Sequence, residues 1–112
     1  MGNPLRLIDV SRLVLEEIEH VVYKSPKRLL HDDQLRKAAQ SISANIREAY
    51  GRRAGAERNQ FFRYARGSAE ETDEHLRTNF VTSRIPPRRY WQMHNRLIVI
   101  QRMLTTLMAD DA

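Results

Sequence analysis

Cysteine is absent from the 112-residue chain, which excludes disulfides, thiolate zinc sites and a cysteine nucleophile. The absence fits a reducing compartment. Glycine and proline occur 4 times each, too few for the many hairpin turns of an all-β fold, so helices are favoured. No uncharged run approaches the roughly 18 residues that span a bilayer. Met1 to Asp9 also lack the basic-then-apolar pattern of a secretory signal. The expectation is a soluble, cytoplasmic protein without a membrane partner. At 13.2 kDa there is room for one domain, residues 1–112, and too little for two. Hydrophobic residues at 41% and charged residues at 29% are near the globular norm, so the chain folds by apolar burial.

What is present is helical periodicity. Leu7, Val10, Val14, Ile18 and Val21, broadened by Leu13 and Val22, follow three-and-four spacing. Pro26 pushes its predecessor out of the helical region, so the first helix is expected over about Pro4 to Lys24. Asp32 or Asp33 is placed to cap a second helix carrying Leu35, Ala38, Ala39, Ile42, Ile46 and Ala49. Gly51 is expected to end it in left-handed geometry, with Gly55 completing a short turn. A third segment bears Phe61, Phe62, Ala65, Ser68, Ala69, Thr72, Leu76 and Phe80 and stops before Pro86 and Pro87. The fourth begins near Pro87, where a missing amide hydrogen costs nothing. Its face reads Trp91, His94, Leu97, Ile98, Gln101, Leu104, Leu107 and Met108, and its end is expected to fray at Asp110 and Asp111. Four helices of about 20 residues, each about 30 Å long, predict an all-α, antiparallel up-and-down four-helix bundle.

The second helix is lined by Ala38, Ala39, Ala44 and Ala49, with Ser41, Ser43 and Asn45 among them, where an ordinary bundle uses leucine. Gly67 and Ser68 lie in the middle of the third. Glycine inside a helix costs about 1 kcal/mol relative to alanine and usually marks tight packing. The second and third helices are therefore expected to touch closely around Asn45 and Ser68, with Ser68 or Glu71 satisfying the Asn45 amide; the alternative leaves Asn45 in solvent.

The stretch LRKAAQSISANIREAYGRR, from Leu35 to Arg53, resembles the signature of the bacterial four-helix-bundle proteins of the 23S rRNA intervening-sequence type. Phe61 to Leu76, with Ala65, Gly67, Ser68 and Glu71 in register, is similar to that family's third helix. The spacing to Arg102, Met103 and Leu104 is similar as well, so the likeness covers nearly the whole chain. Ala49, where the family usually has glycine, and Thr72, where it usually has leucine, depart from the pattern. The resemblance implies a homopentamer arranged as a ring or barrel, and a protein without enzymatic activity. It also implies structural roles for Arg36, Ser41, Asn45, Glu48, Gly51, Gly67, Ser68 and Glu71. A relative, the accessory variability determinant of diversity-generating retroelements, binds nucleic acid and reverse transcriptase. Two partner classes follow by resemblance: RNA or DNA, and a protein such as a reverse transcriptase or a ribosome-associated protein.

Charge is segregated along the chain. Residues 36–66 hold eight basic side chains against Glu48 and Glu57, whereas residues 67–79 hold Glu70, Glu71, Asp73 and Glu74 against Arg77. Seven of the eight central cations are arginine, whose planar fork matches phosphate oxygens. Arg47, Arg52, Arg53, Arg58, Arg63 and Arg66 are the candidate nucleic-acid contacts, and repetition around a ring would sum their fields. No helix-turn-helix signature, RNA-recognition aromatics or zinc finger is present, so backbone binding with little base readout is expected. The competing role is assembly, with Arg63 or Arg66 of one subunit meeting Glu70 or Asp73 of the next. Tyr50 and Tyr64 either stack on bases or belong to the core.

Enzyme readings find little support. Di-iron bundles need a repeated Glu-x-x-His pair on facing helices. Glu17 and His20 supply one, but Glu71 is four residues from His75, so both pairs are read as solvated polar faces and no metal or cofactor is expected. Arg89 and His94 loosely match the arginine–histidine pair of helical toxin ribonucleases, yet five helical positions set them about 140° apart. A polar-edge His94 beside Trp91 is the simpler account.

Overall fold

Local signals divide the chain into four helices, and what satisfies their ends differs from helix to helix. The computed structural model describes residues 4–25 and 27–110. Pro26 and Asp111, at the expected ends of the first and fourth helices, lie outside that range. The helices are α1 (Pro4–Lys24), α2 (Asp32–Tyr50), α3 (Ala56–Val81) and α4 (Pro87–Asp110), with no strand among the described residues. Helix α1 closes as expected, with the Ser25 amide donating to the Val21 carbonyl.

The caps of α2 differ from expectation. His31, in left-handed conformation at φ 54°, occupies the N-cap, and its carbonyl accepts from the Leu35 amide at 2.9 Å. Asp32 and Asp33 fall in the first turn, where their charge suits the helix dipole, and Asp32 Oδ1 accepts from the Asp33 amide. At the other end Gly51 is right-handed, at φ −81°, not left-handed. The positive φ of this turn belongs to Gly55, at 130°. Left-handed geometry is unnecessary at Gly51 because the carbonyls are met without it: the Gly51 amide donates to Arg47 O and Glu48 O and the Arg52 amide to Ala49 O. Arg58 Nε donates to Ala49 O and Arg52 O, and its Nη2 donates to Arg52 O at 2.7 Å.

Each helix packs on two neighbours in the cyclic order α1, α2, α3, α4, most extensively between α2 and α3. Cross-helix pairs show the directions: Ser11 meets Ser43, Ser41 meets Ser68, Asn59 meets Met108 and Glu17 meets Arg96. Early residues of one helix face late residues of the next, so the adjacent helices are antiparallel and form a four-helix bundle, 44 × 22 × 19 Å.

Small residues on α2 and α3 permit the close approach. Ala38, Ala39, Ala49, Ala65 and Ala69 are buried, whereas Ala44 faces solvent. Ser68 Oγ donates to Ser41 Oγ at 2.8 Å, and Asn45 Nδ2 donates to Ser41 Oγ and to Ser41 O. Ser68 therefore reaches Asn45 through Ser41. Glu71 does not take part; it is exposed and 3.7 Å from His75 Nε2. Gly67 is also absent from the contact: it is exposed, and a Cβ built there meets nothing within 4 Å. Ser68, one position on, turns toward α2 instead, because successive residues point about 100° apart.

Two faces are rotated from the sequence reading. Leu13 is 48% exposed, while Ser11 is buried and donates to the Ile8 carbonyl as it accepts from Ser43. On α4 the buried stripe is Tyr90, Met93, Leu97, Ile100 and Leu104, and Trp91 is 49% exposed. Adjacent large rings cannot both point inward. Tyr90 takes the core because its ring stacks on Phe80, with centroids 4.5 Å apart and planes within 3°, and its hydroxyl reaches Asp73 Oδ1.

Asn79, fully buried, ties the two loops at one end of the bundle. Its Oδ1 accepts from the Leu30 amide at 2.7 Å, and its Nδ2 donates to the Leu30 and His75 carbonyls. Its own carbonyl accepts from the amides of Arg84 and Ile85.

Two stability outcomes follow. Gly67→Ala is expected to raise the melting temperature by a few degrees, reflecting about 1 kcal/mol of helix propensity; a lower melting temperature would return Gly67 to a packed interface. Asn79→Ala is expected to cost about 1–3 kcal/mol by leaving the Leu30 backbone without its partner. An unchanged urea midpoint at the same protein concentration would show that the loop is held otherwise.

Candidate nucleic-acid interface

The turn between α2 and α3 carries Arg52 and Arg53, the last turn of α2 carries Arg47 and α3 carries Arg58, Arg63 and Arg66, and the structure divides these six candidates by what they touch. Arg52 bridges Glu48 and Glu57, each at 3.2 Å, and its guanidinium stands 5.2 Å over the Phe61 ring. Exposed pairs of this kind are worth about 0–1 kcal/mol, so exchanging a carboxylate for a phosphate costs little. Arg58 is committed: besides its charge-assisted bonds to the α2 terminus, it lies 5.7 Å over the Tyr50 ring. Arg63 donates to Gln60 Oε1 at 2.8 Å, and Arg66 makes a long contact of 3.5 Å to Thr105 Oγ1 in the α3–α4 groove. Arg47 and Arg53 are exposed, and their side chains make no hydrogen bond or ion pair among the described residues.

The aromatic side chains near the turn separate in the same way. Tyr50 is half-buried and edge-on to Phe62, on the core side of the turn. Tyr64 is half-exposed, edge-on to Phe61, and its hydroxyl accepts from Gln60 Nε2 at 2.6 Å. Tyr64 is the ring with a free surface.

Of the residues given structural roles, Ser41, Asn45 and Ser68 form the α2–α3 contact and Glu48 steadies Arg52. Arg36 is half-buried in a cleft against Glu19, Val22 and Tyr23 of α1. The acidic stretch is divided too. Asp73 turns toward α4, where His94 Nδ1 lies 2.9 and 3.0 Å from its two oxygens. The Arg77 guanidinium nearby is pushed above its usual range, first by hydrogen bonding with the Tyr90 hydroxyl and further by the Asp73 carboxylate.

Glu17 is not a solvated residue, as its pairing with His20 in sequence had suggested. Its side chain is 8% exposed, with Oε1 accepting from Arg96 Nη1 at 2.7 Å and Oε2 lying 3.9 Å from Arg89. Burial between α1 and α4 spends the carboxylate on these arginines, while His20 stays exposed. Among the described residues no group of three or more histidine, aspartate or glutamate side chains is placed to hold a metal. Arg89 faces α1 and His94 faces α3, so the two share no site. The Asp73–His94–Tyr90 and Glu17–Arg96 clusters join distant residues and have no signal in the sequence.

The four-helix fold is shared with a solved structure. A solved structure of a protein of unknown function from the S23 ribosomal protein family of Bacteroides thetaiotaomicron is similar to the chain, with a TM-score of 0.86 and 23% identity. The likeness covers 95% of this chain and 97% of that one, and at this identity it speaks for the fold alone. No curated protein matches. No helix among the described residues is long and apolar enough to cross a membrane. The profile of the 23S rRNA-intervening sequence proteins matches residues 5–106, the span that holds the small-residue contact and the arginine-bearing turn, and the chain belongs to that family.

Proposed function

We propose that this protein is a non-enzymatic, cytoplasmic, homopentameric bundle that binds RNA or DNA through the backbone phosphates. The observation that carries the reading is the arginine-rich end of the bundle: Arg47 and Arg53 stand exposed without acidic partners among the described residues, beside an Arg52 held only by surface pairs. Such side chains meet phosphate without first breaking a buried bond, and their binding is sequence-tolerant. Arg63 and Arg66 extend the surface along α3, and Arg58 holds the turn in shape.

Support for assembly comes from the α1–α4 seam. Leu13 and Val99 are each nearly half exposed. Leu13 lies one turn from Glu17 and Val99 one turn from Arg96, so the antiparallel helices bring both to one level of the outer surface. A neighbouring subunit would cover them, and five copies would repeat the arginine turn around an axis. The same apolar seam also favours a second reading, a scaffold for a protein partner without direct nucleic-acid contact.

Affinity for a single strand is expected to fall linearly in log–log terms with salt, and Arg47→Ala with Arg53→Ala to make the slope shallower by about 0.7 for each phosphate no longer neutralised. Failure to retard any RNA or DNA at low salt removes the nucleic-acid reading and leaves the scaffold. Light scattering is expected to give about 66 kDa, five times the 13.2 kDa chain; a particle of one chain would overturn the pentamer.

A further inference from the structure

At the end of the bundle away from the arginine turn, a cavity of about 160 Å³ opens between the last turn of α1 and the α3–α4 loop. Its lining includes Lys24, Arg84 and Arg89, with the His20 imidazole beside them, and no carboxylate. Ser25 forms part of the wall, its hydroxyl donating to the Arg84 carbonyl and joining α1 to the loop. Glu17, beside Arg89, is already engaged: it holds Arg96 at 2.7 Å and reaches Arg89 at 3.9 Å. Neither Lys24 nor Arg84 has a carboxylate partner among the described residues, and Arg84 is half-buried.

Lys24, whose Nζ stands 5.8 Å from the Tyr23 ring, makes the rim of this concavity positive together with Arg84 and Arg89. We infer that this cavity is a phosphate-binding site, in which Lys24, Arg84 and Arg89 hold the anion and His20 stands at its side. A phosphate group brings up to two negative charges and three acceptor oxygens, which suit a lysine and two arginine forks. The concavity opens to solvent, so a phosphate group can enter it while the rest of a larger ligand stays outside. The shared chemistry is therefore the phosphate, supplied as the free ion or by a mononucleotide whose base stays outside.

The test is calorimetric titration of the full chain with inorganic phosphate, AMP and adenosine at constant ionic strength balanced with chloride. Saturable phosphate binding is expected, weakened at least tenfold by Lys24→Gln with Arg84→Gln and unchanged by Arg102→Gln, an exposed residue further along α4 outside the cavity. Equal affinities for phosphate and AMP identify the free ion as the ligand, and an AMP affinity at least tenfold higher identifies the mononucleotide. Adenosine binding as tightly as AMP, or an equal loss in Arg102→Gln, overturns the site. Should the double variant not fold, amide shifts in the unmodified protein decide: phosphate is expected to move Lys24, Ser25, Arg84 and Arg89, and shifts elsewhere only would refute the assignment. The outcome is independent of nucleic-acid retardation, which reads the other end of the bundle.

Discussion

The close contact between α2 and α3 is the constraint on which the rest of the structure depends. Ala38, Ala39 and Ala49 on one side and Ala65 and Ala69 on the other are buried without long side chains to hold the backbones apart. Polar groups brought into such a seam need partners, and the serine–serine bond between Ser41 and Ser68, with Asn45 folded onto Ser41, supplies them. Because two helices this close need only a short turn, Gly51 to Gly55 suffices to join them. That turn places consecutive arginines at the tip of the bundle.

The other seams are built from different chemistry. The α1–α2 contact includes a serine pair, Ser11 and Ser43. Between α1 and α4 the buried Glu17 carboxylate meets Arg96 and Arg89, an arrangement in which the desolvation of the ions offsets much of their attraction. Its benefit is a fixed register between the two helices. Aromatic stacking of Tyr90 on Phe80 and the Asp73–His94 contact join α3 to α4. Polar pairs of this sort suit a bundle whose α2 is too rich in alanine to bury large apolar areas on every side.

Satisfied helix ends explain why the two poles of the molecule differ. At one pole Asn79 serves two loops with one side chain and one carbonyl, freeing the neighbouring basic side chains from backbone duties. At the other pole Arg58 is consumed as the C-terminal cap of α2, which leaves its neighbours Arg47 and Arg53 to solvent. Arginines that look alike in sequence are thereby divided between holding the fold and facing outward.

The sequence by itself determined the four helices, the breaks at Pro86 and Gly51–Gly55, the buried face of α2 and the segregation of charge. These are short-range properties: apolar spacing, proline and glycine act within a turn or two, so they survive without knowledge of neighbours. The buried faces of α1 and α4 were only partly legible, because Ser11 and Tyr90 enter the core through partners on α2 and α3. Only the tertiary structure decided that Gly67 faces solvent, that Asn79 staples two loops and that Glu17 is spent on arginines. It alone showed which basic residues are bonded and which are free. Those outcomes depend on groups tens of residues apart meeting at hydrogen-bond distance, which packing creates and local periodicity does not encode.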